Sequence, residues 1–356
     1  MIDRNHSGID RRAWLKGAAL TAATAAAAPG LAQAAAPAVP AAAPFIPAAR
    51  IKARAVNFRP VMGDRVACAA KIKETIETAG RDGVKLIVFP EMALQGFEKC
   101  ADCAARGRAC DKHLATGELA TGPLIRELAD TVRRNDMYAI VGFGERDPVR
   151  PFLYNAAAVM GPEGLIGTNR KMGVGHGIAQ VHSQSMFTSG DKITVFPTRY
   201  GPIGVGICYD VWMNGDVARL MVLQGARIIA VPTATVGTTV AGDLEKMAFA
   251  RARENNVFVI NANLVGGGFE GTIEGEPRFY SHSYIAGPEW PSSMGKIIAK
   301  TDDPFATVTG EIDLAQYESF IGRSHLVERR RKGGYDAQFS QAIAAGYAAL
   351  IGKHVV

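Results

Sequence analysis

The stretch Gly201-Pro-Ile-Gly-Val-Gly-Ile-Cys208-Tyr-Asp-Val-Trp212 decides how this chain folds. Between residues 202 and 207 its branched side chains alternate with glycines, which predicts a short buried strand with closely packed neighbours. Cys208 follows this strand, and a helix is predicted over residues 216–223. A strand-to-helix turn would hold the sulfur rigidly at the mouth of a sheet, where it could act as a nucleophile. The alternative is a buried, inert thiol, as most cysteines are.

Two other predicted strands end in a charged side chain. Val84-Lys-Leu-Ile-Val-Phe-Pro-Glu91 is apolar and ends in a carboxylate, whereas Leu165-Ile-Gly-Thr-Asn-Arg-Lys171 completes a hairpin and ends in a cation. A carboxylate can accept the proton of a thiol, and an ammonium can stabilise an oxyanion, so both groups complement a cysteine nucleophile. The alternatives are a surface carboxylate at Glu91 and a solvated lysine at Lys171, the commonest fate of a lysine.

The order strand–Glu, strand–Lys, strand–Cys resembles the carbon–nitrogen hydrolase (nitrilase) superfamily, whose catalytic triad is Glu-Lys-Cys. The resemblance covers most of the chain after Lys52. It includes the segments Phe89-Pro-Glu91, Gly142-Phe-Gly-Glu145, Tyr154-Asn155, Arg170-Lys171, Gly206-Ile-Cys208-Tyr-Asp210, Gly225-Ala226, Arg251-Ala-Arg-Glu-Asn255, Asn261-Ala-Asn263 and Glu311-Ile-Asp313. It implies an α/β fold built as a four-layer α-β-β-α sandwich, usually dimerised through helices, and a reaction without a metal or organic cofactor.

The resemblance also implies a role for each of these residues. Cys208 would be the nucleophile, Glu91 the general base, and Lys171 the cation beside the oxyanion, with help from the backbone N–H of Tyr209. Glu145 would orient Lys171 or the substrate. Cys-Tyr-Asp is closer to the amidase and carbamoylase branches than to nitrilases, where Cys-Trp-Glu is usual. We therefore expect cleavage of a small linear amide or an N-carbamoyl compound, with nitrile hydrolysis, acyl transfer and an inactive binding role as alternatives.

Three further residues are candidates for the substrate pocket. His176 belongs to a glycine- and histidine-rich loop over residues 172–185, which we expect to cover the mouth of the site, although a solvated loop histidine is the alternative. Trp212 lies where the family usually has an aromatic-Pro-Glu sequence, so the lip of the pocket differs. Thr233 opens a polar turn that we expect to line the pocket wall.

An insert over residues 95–121 contains Cys100-x-x-Cys103, Cys110 and His113. Three interpretations stay open: one disulfide with a spare thiol, a zinc site made of all four side chains, or loose thiols in a mobile loop. A disulfide between Cys100 and Cys103 would be strained, whereas Cys110 could pair with either. Because the insert follows Glu91, we expect it to border the pocket.

The two ends of the chain differ from the domain between them. Asp10-Arg11-Arg12-Ala-Trp14-Leu15-Lys16 and the alanine-rich stretch after it resemble a twin-arginine signal over residues 1–34, with an ordinary secretory signal as the alternative. We predict an Ala/Pro-rich linker over residues 35–49, the hydrolase domain over residues 50–322, and a tail over residues 323–356 that could pack in an oligomer interface.

These assignments predict an exported protein, periplasmic or secreted. Its expected partners are the twin-arginine export machinery, a small amide substrate and further copies of the chain. No segment of the mature chain is long and apolar enough to span a membrane. Residues 1–34 hold four basic and two acidic residues, so their removal lowers the net charge from +6 to +4. That charge gives no support for nucleic-acid binding. In the 356-residue chain, 48% hydrophobic and 21% charged residues are typical of a globular protein.

Overall fold

The structure is a computed structural model that describes residues 50–98, 100–174, 183–235, 241–266, 282–289, 294–303 and 305–321. The predicted signal segment, linker and C-terminal tail lie outside the described residues, as does His176. Among the described helices, none combines the length and the hydrophobicity needed to cross a bilayer.

Two six-stranded mixed sheets form the centre of the domain. In the first, the strand order is β12-β1-β2-β3-β4-β5, and β1, β2 and β3 run parallel. In the second, the order is β11-β10-β9-β8-β7-β6, and β7, β8 and β9 run parallel. The strands are β1 (Arg50–Ala55), β2 (Val84–Val88), β3 (Tyr138–Arg146), β4 (Leu153–Gly161), β5 (Gly164–Arg170), β6 (Val195–Phe196), β7 (Ile203–Val205), β8 (Ile228–Thr233), β9 (Phe258–Asn263), β10 (Tyr284–Glu289), β11 (Met294–Lys300) and β12 (Val308–Asp313).

Helices cover the outer face of each sheet. The long helices are α1 (Arg65–Arg81) and α4 (Pro123–Arg134) on the first sheet and α6 (Gly215–Leu223) and α7 (Ala241–Asn255) on the second. The shorter helices are α2 (Ala101–Arg106), α3 (Asp111–Thr116), α5 (Tyr209–Trp212) and α8 (Leu314–Ile321), and a 3₁₀ turn spans Ser183–Met186.

Strand β2 shows why four layers form. Leu86 and Val88 belong to the core between the two sheets, whereas Ile87 and Phe89 pack with α1 and α4 on the other face. Because successive side chains of a strand point to opposite faces, a continuous apolar run is buried on both. The predicted four-layer α-β-β-α sandwich is confirmed.

Local boundaries differ from the sequence predictions at two places. The single helix predicted over residues 216–223 is preceded by a separate short helix, α5, which begins immediately after Cys208. The dipeptide Gly287-Pro288 has a sequence typical of a hairpin turn, but it lies inside β10, where Pro288 is paired with Gly295. Pairing of β10 with β9 ends at Ala286, so Pro288 has no ladder bond to lose on that side.

Candidate active site

Cys208 occupies a strained turn between β7 and α5. Its backbone has φ 51° and ψ −110°, a region that non-glycine residues rarely adopt. Its N–H donates to the carbonyl oxygen of Pro232 in β8, at 2.9 Å, and the side chain is buried. Strain of this kind persists where the surrounding structure enforces it, and it is common at active sites. The turn therefore holds the sulfur in one place.

Glu91 lies in a turn just after β2 that packs directly against β3. A Cβ atom at Gly142 of β3 would overlap the carbonyl oxygen of Pro90 and lie 2.7 Å from the N atom of Met92. Met92 itself has a positive φ of 54°. Close contact with a glycine on the neighbouring strand therefore sets the position of the Glu91 backbone.

The Glu91 carboxylate accepts two buried hydrogen bonds on the same oxygen. Lys171 Nζ lies 2.7 Å from Oε1, and Asn155 Nδ2 lies 2.6 Å from it. The Lys171 and Glu91 side chains are only 2% and 1% exposed. The backbone carbonyl oxygen of Asn155 also accepts a hydrogen bond from the backbone N–H of Lys171, at 2.7 Å. Asn155, on β4, thus positions both members of the ion pair.

The Cys208 side chain is buried close to this ion pair. Burial and the neighbouring charge of Glu91 raise the pKa of Cys208, despite the opposing effects of Lys171 and of the Ala234 N–H. The thiol is therefore protonated at neutral pH, with the Glu91 carboxylate nearby to accept its proton. Burial also disfavours the Lys171 ammonium, but the adjacent Glu91 outweighs that effect and raises the pKa of Lys171. The structure brings the three residues together as thiol, carboxylate and ammonium.

Asp210 connects the nucleophile turn to the segment after Lys171. Its two carboxylate oxygens accept the backbone N–H groups of Met172, at 3.1 Å, and Gly173, at 2.6 Å. The side chain is buried, and this burial raises the pKa of Asp210. The sequence identified Asp210 only as part of a motif and gave it no role. Its two partners, Met172 and Gly173, lie 38 and 37 residues away in the chain, so the contacts depend on the folded structure.

Glu145, predicted to orient Lys171 or the substrate, is buried at the end of β3. The carboxylate forms a paired salt bridge with Arg170, at 2.6 and 3.1 Å, and Arg170 also lies over the Tyr154 ring at 3.7 Å. Arg170 immediately precedes Lys171 in the chain. Glu145 can thus fix the end of β5, and an effect on Lys171 or on the substrate stays a prediction.

Tyr209 and Trp212 form one side of the short helix α5. Their rings stack with centroids 5.2 Å apart. The Tyr209 N–H is the first of the helix, and N–H groups in a first turn have no acceptor within the helix, so it can serve an oxyanion. The buried Trp212 Nε1 has no hydrogen-bond partner among the described residues.

Thr233 lies at the end of β8 and is completely buried. Its hydroxyl is 2.9 Å from Asn261 Oδ1 and 3.2 Å from Val231 O. Within the described part of the chain, the buried Nδ2 atoms of Asn261 and Asn263 have no hydrogen-bond partner. Sequence analysis named these asparagines only as a motif. Their unsatisfied amides mark a polar region at the ends of β8 and β9.

The four side chains of the insert that could bind a metal ion lie in one cluster. The Sγ atoms of Cys100, Cys103 and Cys110 and a ring nitrogen of His113 all lie within 4.8 Å of one another. All five cysteines of the chain are free thiols in the structure. The nearest approach of Cys100 to Cys110 is 3.8 Å between sulfurs, well beyond the roughly 2.05 Å of a disulfide bond.

Solved structures share this fold. Nit3 from Saccharomyces cerevisiae aligns with a TM-score of 0.65 at 22% identity, over 81% of this chain and 100% of that one. A mutant of the amidase from Nesterenkonia sp. AN1, with an acetamide moiety covalently added at its active-site cysteine, aligns with a TM-score of 0.56 at 18% identity, over 79% of this chain and 95% of the other.

Sequence relatives extend across most of the chain. A nitrilase from Pyrococcus abyssi is 29% identical over 80% of this chain and 99% of its own length. The omega-amidase NIT2-A of Xenopus laevis is 28% identical over 80% of this chain and 96% of its own. The carbon-nitrogen hydrolase family model matches residues 52–321, which include all three residues of the buried cluster. The chain therefore belongs to the carbon–nitrogen hydrolase family of the nitrilase superfamily.

Proposed function

We propose that the protein is an exported thiol amidase that cleaves the C–N bond of a small linear amide or N-carbamoyl compound and releases ammonia. One observation carries the proposal: the buried Cys208 thiol lies close enough to Glu91 for the carboxylate charge to raise its pKa, and Glu91 is itself locked in a buried ion pair with Lys171. A nucleophile, a proton acceptor and a cation are what acyl transfer from an amide requires.

In the acylation step, Cys208 attacks the carbonyl carbon while Glu91 takes the thiol proton. The sulfur–carbon bond forms, and the carbonyl electron pair moves to oxygen, where Lys171 and the Tyr209 N–H stabilise the negative charge. Collapse of this intermediate breaks the C–N bond. Glu91 returns its proton to the departing nitrogen, which leaves as ammonia, and an acyl thioester remains on Cys208.

In the deacylation step, water occupies the place of the departed ammonia. Glu91 removes a proton from this water as the oxygen attacks the thioester carbonyl. The second tetrahedral intermediate uses the same oxyanion contacts. Its collapse releases the acid and returns the proton from Glu91 to the sulfur, which restores the resting thiol. No redox change occurs, and the only co-reactant is water.

Two features favour an amide over the alternatives. Cys208 is followed by Tyr209 and Asp210, as in the amidase-like branches that the sequence resembles. Several relatives are named omega-amidases, and one from Pseudomonas sp. is named an (R)-stereoselective amidase. Nitrile hydrolysis is the second candidate, because the relative from Pyrococcus abyssi is named a nitrilase.

The test is ammonia release by the purified full chain from a panel of small amides, N-carbamoyl amino acids and nitriles. We expect ammonia from amides or carbamoyl compounds, loss of at least about 1,000-fold in Cys208→Ala, and full activity in Cys68→Ala, which removes a buried thiol outside the cluster. Product from nitriles alone would replace this proposal with the second candidate. No turnover by a folded protein would favour a binding role.

Export and self-association are further parts of the proposal. The Arg11-Arg12 motif supports the twin-arginine route, and fractionation of cells that produce the full chain should recover it in the periplasm or the medium. Retention in the cytoplasm would contradict this. The resemblance supports a homo-oligomer, for which light scattering after size-exclusion chromatography should give more than the 37.8 kDa of one chain.

A further inference from the structure

We propose that Cys100, Cys103, Cys110 and His113 form a structural zinc site, which we call the Cys₃His cluster. The four residues follow the spacing Cys-x₂-Cys-x₆-Cys-x₂-His over the two short helices α2 and α3. Thiolate and imidazole are the ligands that Zn²⁺ prefers, and a Cys₃His set is one of its recurrent structural combinations.

The distances within the cluster match a tetrahedral zinc site. Zn–S bonds of about 2.3 Å and Zn–N bonds of about 2.0–2.1 Å place two sulfurs about 3.8 Å apart and a sulfur and a nitrogen about 3.5 Å apart. In the structure, Cys100 Sγ and Cys110 Sγ are 3.8 Å apart. The Nδ1 atom of His113 lies 3.4 Å from Cys103 Sγ and 3.2 Å from Cys110 Sγ. Three of the six donor–donor distances are therefore close to those of a tetrahedron around one ion, and the other three are at most 4.8 Å.

The surroundings of these donor atoms complete the pattern. Backbone N–H groups of Cys103 and Cys110 donate to the sulfurs of Cys100 and Cys103, at 3.3 and 3.2 Å. With Nδ1 directed at the sulfurs, the other ring nitrogen of His113 lies 3.5 Å from Glu98 Oε2 and has no hydrogen bond that meets normal geometry among the described residues. A carboxylate behind a metal-bound histidine is the usual outer partner in zinc sites.

A bound ion would stabilise the insert. Helices α2 and α3 have six residues each, and isolated helices of that length are unstable in water. Cys103, Cys110 and His113 are nevertheless buried. A single ion held by four side chains would link both helices, and the free energy of metal binding would add to the free energy of folding. On binding, the three thiols release their protons to solvent.

The Cys₃His cluster is joined by packing to the proposed active site. Cys103 and Cys110 belong to an apolar core that also includes Met92, which follows Glu91, and Ala234, whose N–H is close enough to Cys208 to affect the pKa of that thiol. His113 also lines a cavity beside Met92. Four protein ligands leave no open coordination position, so the ion would support the wall of the site rather than take part in the reaction.

The test is metal analysis of the purified full chain by mass spectrometry, together with cobalt substitution. We expect about one zinc ion per chain. Replacement by Co²⁺ should give the intense thiolate charge-transfer and visible bands of a tetrahedral sulfur-rich site. Cys103→Ser should lose zinc and these bands, and so should the milder Cys100→Ser at a partly exposed position. The matched control, Cys68→Ser, alters a buried thiol outside the cluster and should keep both.

Other outcomes would overturn the proposal. A chain without zinc that also fails to take up added Zn²⁺ after reduction contradicts it, as does a mass two hydrogens below that of the reduced chain, which would show a disulfide. Iron in place of zinc would also contradict it. Because metal content and the cobalt spectrum need no substrate, the result is independent of whether the protein is an amidase.

Discussion

The buried pair of Glu91 and Lys171 gives the sharpest energetic prediction. Replacing Lys171 with Met removes the ammonium 2.7 Å from Glu91 Oε1 and leaves a carboxylate that is 1% exposed without its counter-charge. Removing one partner of a buried ion pair costs about 3–5 kcal/mol, because the remaining charge keeps its desolvation penalty. For a domain of this size we expect the melting temperature to fall by about 5–15 °C.

The double variant separates this charge effect from lost packing. In Glu91→Gln with Lys171→Met, neither member of the ion pair is charged, and the Gln side-chain oxygen can still accept a hydrogen bond from the Asn155 amide, as Glu91 does at 2.6 Å. We expect the double variant to be more stable than Lys171→Met alone, with a coupling free energy of about 2–3 kcal/mol. Urea unfolding at fixed protein concentration measures all four members of the cycle.

An exposed pair provides the control for this cycle. Lys73 and Glu127 are joined at 2.9 Å, but their side chains are 37% and 53% exposed. Solvent screens such pairs, so Lys73→Met should cost less than about 1 kcal/mol. Equal losses in Lys73→Met and Lys171→Met, or strictly additive losses in the cycle, would refute the conclusion that Glu91 depends on a buried counter-charge.

Two further predictions concern the geometry and the protonation of the site. Gly142→Ala should displace the Glu91 turn and lower kcat by at least about 10-fold. The control is Gly83→Ala, at φ +76° with open space around it, which should cost about 1 kcal/mol of stability and leave turnover per folded molecule unchanged. Equal turnover in both variants would contradict the role of Gly142. Burial and the charge of Glu91 raise the pKa of Cys208 above its ordinary 9.0, so the thiol stays protonated as pH rises to that value. The ultraviolet thiolate absorbance of wild type minus Cys208→Ala should therefore stay flat from neutral pH to about pH 9, and a step below that pH would show a stabilised thiolate instead.

The sequence predicted the parts of the site that follow apolar runs. Glu91, Lys171 and Cys208 each follow a strand, so periodicity placed them at strand ends, but only the resemblance to the carbon–nitrogen hydrolase superfamily indicated that they act together. Asn155 and Asp210 were named only as motif residues, because their contacts depend on which strands become neighbours. The pairing of β4 with β5, which joins Ala156 to Arg170, is set by the whole sheet.

Errors in the sequence predictions also have physical causes. Gly287-Pro288 has the composition of a turn, but it lies in a strand because β10 still pairs with β11 there. The proline is tolerated because the pairing of β10 with β9 ends at Ala286. The left-handed backbone of Met92 and Cys208 could not be predicted from residue type either, since neither is a residue that favours positive φ. Both conformations are imposed by packing from distant segments.

The glycines before Cys208 explain how its strained backbone is held. A Cβ atom at Gly206 would overlap Val211 Cγ2 and lie 2.7 Å from Met221 Cε, so only glycine lets α5 and α6 pack this closely on the strand. Gly206 N and Cys208 N donate to the carbonyl oxygens of Ala230 and Pro232, both in β8. A non-glycine residue at positive φ costs about 1–3 kcal/mol, and these contacts offset it locally. The alternation of small and branched residues that identifies the strand is thus also the reason that the sulfur has a fixed position beside Glu91.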